Sequence, residues 1–110
     1  MDTEELNQVA MQVIMNAGNA RDILNDIIND LENDFNYKRI EIQLKKANES
    51  IVKAHKLQTE VIQTTITDIN FVPNLLFIHA QDTLMTINSE LNIVKYLVRL
   101  FGKTKEGLDV

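Results

Sequence analysis

The stretch FIHAQDTLMTINSELNIVKYLVRLF, Phe77 to Phe101, carries the reading of the fold. Phe77, Ala80, Leu84, Ile87, Leu91, Val94, Val98 and Phe101 recur at intervals of three and four, which places them on one face of a single long α-helix. Gly102 follows, and a glycine there predicts the end of that helix. The opposite side would be polar on a helix packed through one face alone. It carries instead Leu75, Ile78, Asp82, Met85, Ser89, Ile93, Tyr96 and Leu100. At about 100° per residue these fall within about 60° of Asp82 on either side. A helix apolar on two opposed faces is buried on both.

Two more helices precede it. Leu6, Val9, Val13, Ala17, Ala20, Leu24, Ile27 and Leu31 follow the same spacing, with Thr3 or Asp2 as N-cap. The polar cluster Asn33 to Asn36 reads as a turn. Tyr37, Ile40, Leu44, Ala47, Ile51, Ala54, Gln58 and Val61 make the second stripe. Thr64 to Pro73 is β-branched, lacks a stripe and leads to the only proline, which fits the first turn of the third helix. The expected helices span about 3–32, 36–65 and 74–101. Short connections make them an all-α, antiparallel, up-down-up three-helix bundle in a single domain, residues 1–110. Three helices cover one face of the third, so its second face is expected to meet other copies of the chain.

Composition narrows the function. With 45% hydrophobic and 25% charged residues, the chain is ordinary for a soluble globular protein. A net charge of −5 argues against a nucleic-acid binder, which needs a basic face. Residues 1–37 hold eight carboxylates and one base, Arg21, whereas Lys95, Arg99, Lys103 and Lys105 make the other end basic. The plain reading is complementarity to helix dipoles plus a solvated face. There is no cysteine, which excludes disulfides and thiolate chemistry and suits a reducing cytoplasm. The acidic start MDTEEL is not a secretory signal, and no apolar run approaches the roughly 20 residues needed to cross a bilayer, so direct membrane insertion is not expected.

Asp82 is a solitary charge in the second apolar stripe of the third helix. Around a rotation axis every copy brings its Asp82 toward the same place, where bare carboxylates repel. They are neutralised by a cation, protonated, or wet at the edge of the seam; Mg²⁺, a hard cation with oxygen ligands, suits the first case. His79 lies roughly 60° from Asp82, early in the helix, with the small residues Thr83 and Thr86 one and two turns on. A lone histidine in a bundle is most often a packed or surface residue. His55, bordering the second helix's stripe, is read that way.

His79-Ala80-Gln81-Asp82-Thr83-Leu84-Met85-Thr86, preceded by the apolar Leu75 to Ile78, resembles the phosphorylation-site signature of one family. That family is the lactose/cellobiose-type IIA component of the bacterial phosphoenolpyruvate-dependent sugar phosphotransferase system. Two weaker matches stand in the right order, AGNAR (Ala17 to Arg21) and AHKLQT (Ala54 to Thr59), so the resemblance covers nearly the whole chain. It implies a homotrimer in which His79 matches the phosphoryl-accepting histidine and Asp82 the aspartate that shares a metal ion on the axis. Gln81 and Thr83 belong to the same signature as supporting residues. The family often has a second histidine where this chain has Thr83, a departure that leaves the acceptor intact.

The resemblance implies a cytoplasmic carrier that accepts a phosphoryl group from the general histidine phosphocarrier protein and passes it to the IIB component for sugar uptake and phosphorylation. The chemistry suits the residue. An imidazole, with a reference pKa near 6.5, offers a nucleophilic nitrogen at pH 7, and phosphoryl transfer is catalysed mainly by alignment and charge stabilisation. The chain has no glycine-rich phosphate loop and no Ser-His-Asp candidate for a different chemistry. The competing reading is a non-catalytic or regulatory helical-bundle interaction module, which explains the stripes and leaves His79 incidental.

Overall fold

The computed structural model describes the backbone of residues 1–108 and the side chains of residues 1–103. Three helices account for nearly all of it: α1 (Thr3–Asn33), α2 (Tyr37–Thr67) and α3 (Leu75–Leu108), with no strand among the described residues. α1 and α3 run parallel and α2 antiparallel to both, giving a rod 63 × 20 × 18 Å. α1 packs closely along both partners, while α2 and α3 touch least.

Stripe spacing produces the core. Leu6, Val13, Ala17, Ala20, Leu24, Ile27 and Leu31 of α1 are buried, as are Ile40, Ala47, Ile51, Ala54 and Val61 of α2. From α3 come Phe77, Ala80, Leu84, Ile87, Leu91, Val94 and Val98. Alanines facing bulky residues let the axes approach closely, and no buried side chain in this cluster is polar or charged. At two points a polar group intrudes: Gln43 and Gln58 of α2 bury their Oε1 atoms with no hydrogen-bond partner among the described residues, a cost of about 1–3 kcal/mol each. Gln58 is the position that interrupts the apolar run of the α2 stripe.

Of the two N-cap candidates for α1, Asp2 takes the role, accepting from the Glu5 N–H at 2.8 Å. Other helix ends differ from expectation. α2 continues to Thr67, where the Thr64 and Thr67 hydroxyls donate to the carbonyls of Glu60 and Gln63. Pro73 lies before the cap of α3 instead of inside its first turn. Asn74 is the cap, its Oδ1 accepting from the Phe77 N–H at 2.9 Å while its Nδ2 donates to Asn7 Oδ1 at 2.7 Å. Asn74→Ala is expected to cost about 1–2 kcal/mol in a urea titration, with Asn74→Asp recovering part by restoring the cap acceptor.

Gly102 does not end α3, which continues to Leu108. No glycine among the described residues has positive φ, so Gly102 lacks the left-handed geometry of a helix-terminating glycine. A glycine with helical φ only weakens a helix, by about 1 kcal/mol, and no proline follows to stop it. A Cβ at that position would meet the Phe35 ring at 3.9 Å, an ordinary contact. Phe35 stacks in turn on Phe101, ring centroids 5.5 Å apart, and closes that end of the bundle. The turn between α1 and α2 is pinned by Arg39, which donates to Asp30 at 3.1 Å and to the Asp34 carbonyl at 3.3 Å.

Candidate functional site

His79 and Asp82 both stand on α3 because the cap at Asn74 sets the start of the helix and the Phe77–Ala80–Leu84 stripe sets its rotation. With that stripe buried, His79 and Asp82 are exposed, one turn apart on the side away from the core. Gln81 and Thr83 are half-buried on the two flanks. The four residues singled out by the sequence therefore lie within five consecutive positions on a rigid helix. The Thr83 hydroxyl donates to the main-chain carbonyl of His79 at 2.9 Å. Its proton is thereby committed to the backbone, not offered to the imidazole, which is the common resting state of a helical threonine.

The imidazole sits on an open surface. An apolar groove of about 540 Å³, lined by Ile28, Leu31, Leu97, Leu100 and Phe101, lies about five turns further along α3, too far to enclose it. His55 is half-buried beside the α2 stripe.

The second stripe of α3 is uncovered within one chain. Its apolar members range from 46% exposed at Ile78 to 80% at Leu75, with Met85, Ile93, Tyr96 and Leu100 in between. Asp82 lies in the middle of them by helical position. Among the described residues no three histidine, cysteine, aspartate or glutamate side chains gather where they could hold a metal ion, so one chain supplies Asp82 alone.

Arg21, whose part could not be assigned from the sequence, has a partner. Its Nη2 and Nε donate to Glu90 Oε1 and Oε2 of α3 at 2.7 and 3.0 Å, a two-pronged pair. The bond to the Glu90 carboxylate holds the guanidinium above its ordinary pKa, with its slight burial working against that. Exposed as it is, the pair contributes little stability; it acts as a register pin. Together with Asn7–Asn74 it fixes the stagger of α1 on α3. Glu90 was missed because nothing local to i, i+3 or i, i+4 links it to a residue 69 positions earlier.

Comparison with known proteins agrees with this architecture. The family described as "PTS system, Lactose/Cellobiose specific IIA subunit" matches residues 8–102. The chain is 31% identical to the lichenan-specific phosphotransferase enzyme IIA component of Bacillus subtilis, over 94% of this chain and 93% of that one. It is 29% identical to the lactose-specific EIIA component of Staphylococcus epidermidis, over 94% and 98% of the two chains. The crystal structure of PtcA from S. mutans superposes with a TM-score of 0.85 at 32% identity, covering 93% of this chain and 99% of that one.

Proposed function

The chain belongs to the lactose/cellobiose-specific IIA family of the sugar phosphotransferase system, and on that premise we propose that it is a cytoplasmic phosphohistidine relay. His79 takes a phosphoryl group from the general histidine phosphocarrier protein and gives it to the IIB component. The observation that carries this reading is the exposure of His79 on a helix whose opposite face is locked into the core, in a site open to a protein partner and not shaped to enclose a small molecule. In the first half-reaction the lone pair of His79 Nε2 attacks phosphorus. The donor's phosphorus–nitrogen bond breaks and its electron pair returns to the donor's ring. The second half-reaction reverses the roles, with the IIB nucleophile attacking and the pair returning to His79. Because the transition state makes little new bonding, alignment by a rigid helix is the main contribution of the protein. Gln81, half-buried on the flank of α3 beside His79, would serve as a hydrogen-bonding residue near the phosphoryl group or the axis. Thr83, by tying its hydroxyl to the His79 carbonyl, stiffens the backbone turn that bears the imidazole.

We propose further that the working unit is a homotrimer built on the exposed second stripe of α3. Around its axis the Asp82 carboxylates face one another. Asp82 offers hard oxygen ligands but only one carboxylate per chain, so three copies together fit a divalent cation of the Mg²⁺ type. The ion, when bound, supplies neutralising charge to the seam. Asp82→Leu is expected to abolish stoichiometric metal in elemental analysis and to keep the trimer, with stability equal or higher because apolar packing replaces a buried carboxylate cluster. Metal retained at wild-type stoichiometry would show the ligand to be another residue.

The relay is tested by incubating the protein with the general phosphotransfer proteins and labelled phosphoenolpyruvate. Acid-labile label on the chain supports the relay; its absence supports the alternative, a non-catalytic or regulatory interaction module. The named relatives handle different sugars, and nothing in this chain contacts a sugar in the proposed scheme.

A further inference from the structure

The apolar groove between α1 and α3 stays open within one chain. Ile28 and Leu31 line it from α1, Leu97, Leu100 and Phe101 from α3, and the exposed Glu32 adds a carboxylate to its lining. Leu97, Leu100 and Phe101 are 44%, 62% and 45% exposed. α3 runs on as a helix to Leu108, so the chain's own continuation leads away along the rod and does not fold back over the groove. Glu32 makes no ion pair among the described residues. A feature of complementary shape and charge stands on the same turns of α3. Tyr96 is 56% exposed, and Arg99 holds its guanidinium over that ring, 5.7 Å from the centroid. Measured around α3 from Asp82, Leu97 and Phe101 fall about 60° and 100° to one side, and Tyr96 and Arg99 about 40° and 100° to the other, with Leu100 in line with Asp82. Hole and knob are thus the two flanks of the second stripe, at one height.

We propose that the groove is filled by Tyr96 and Arg99 of a second copy of this chain, the ring lying against Leu97 and Phe101 and the guanidinium meeting Glu32. This contact rests on the assembly proposed above and fixes which flank of each copy meets which. Rotation about an axis parallel to α3 preserves height, so whatever covers the groove comes from the same level of the neighbouring copy. The groove and the aromatic–cation pair differ, so the contact is heterologous: each copy gives its knob to one neighbour and its groove to the other, and the ring closes. Tyrosine suits the position because it buries a large apolar ring while keeping its hydroxyl at a wet edge, and arginine because its planar group stacks on the ring and pairs with a carboxylate. Groove set against groove across a two-fold axis would bring Glu32 to Glu32 and leave Arg99 of both copies without a carboxylate, which disfavours that pairing.

A charge exchange tests the contact. Glu32→Arg and Arg99→Glu each set like charges against one another at every contact of the ring. Each is expected to raise the protein concentration at which light scattering shows half-dissociation by about tenfold or more. The double variant Glu32→Arg/Arg99→Glu rebuilds an opposite pair with its direction reversed, and should return that concentration to within about threefold of wild type. Both positions are exposed and outside the core, so circular dichroism should show the same helical content in all four proteins. A double variant in which the two single effects simply multiply overturns the pairing, as do single variants that assemble as wild type does; both results leave the trimer standing. A wild-type protein that scatters as one chain removes the assembly, and this contact with it.

Discussion

Alanine at position 79 is expected to leave the protein with no acid-labile phosphoryl label, while alanine at position 55 leaves labelling at the wild-type rate. The two histidines are the only imidazoles in the chain, and there is no cysteine to substitute for either. His79 is exposed on α3, whereas His55 is half-buried against the α2 stripe, where an approaching protein reaches its ring less easily. Nε2 is the ring nitrogen farther from the backbone, so a phosphoryl group carried by a partner approaches it in line, and Nδ1 remains to hold the proton. The start of α3 adds a modest favourable field for the incoming dianion, already fading at His79, about a turn into the helix. Loss of the nucleophile removes the reaction instead of slowing it. Hydroxyls such as Thr83 and Thr86 would form acid-stable esters, so acid lability separates the expected acceptor from these substitutes. Because His79 is exposed and packs nothing in the core, circular dichroism should show unchanged helical content, and stability should stay within about 0.5 kcal/mol. A His79→Ala protein labelled at the normal rate would overturn the site assignment and the relay together.

The sequence made the bundle readable because burial in this fold is almost purely periodic. The stripe residues Ala80, Leu84, Ile87 and Leu91 are all buried, and so are Ala17, Ala20 and Leu24. The exceptions have local causes. Tyr37, counted in the α2 stripe, is 58% exposed because it is the first residue of its helix and stands beside Phe35 instead of beneath it. Phe101 likewise lies at the rim, with its ring partner Phe35 coming from the turn between α1 and α2. Helix ends were the least legible part. At Thr64–Thr67 low intrinsic propensity did not end the helix, which runs on past the buried Val61 to Thr67. At Gly102 a residue type that favours termination sits in helical geometry, because glycine permits the left-handed conformation without requiring it. The candidate site was legible as a cluster on α3, since one helix supplies all four residues. What lay hidden was anything that depends on the neighbouring helix: the Glu90 partner of Arg21 and the Asn7 partner of Asn74 both follow from a stagger that no local pattern encodes.

A charge in the second stripe should take the assembly apart without unfolding its chains. The wild-type protein is expected to scatter light at micromolar concentration as three times the 12.6 kDa of one chain, and Ile93→Glu as one. Ile93 is 55% exposed within one chain, so the substitution buries nothing awkward there, and the opposite face of α3 keeps Leu91 and Val94 in the core. Helicity is therefore expected to persist in the monomer. Ile93 lies three turns beyond Asp82 on the same side of α3, so in the proposed trimer three new carboxylates would converge near the axis. At a separation of about 6 Å and an effective dielectric of about 20, each of three pairs repels by roughly 3 kcal/mol, before the lost apolar contact is added. A lysine at the same position should dissociate the protein equally, which distinguishes like-charge convergence from a specific quarrel with Asp82. Met11→Lys, on the outer face of α1, should leave the mass unchanged. A wild-type protein that scatters as a monomer would overturn the proposed trimer and, with it, the proposed cation site, because among the described residues of one chain Asp82 has no companions to hold an ion.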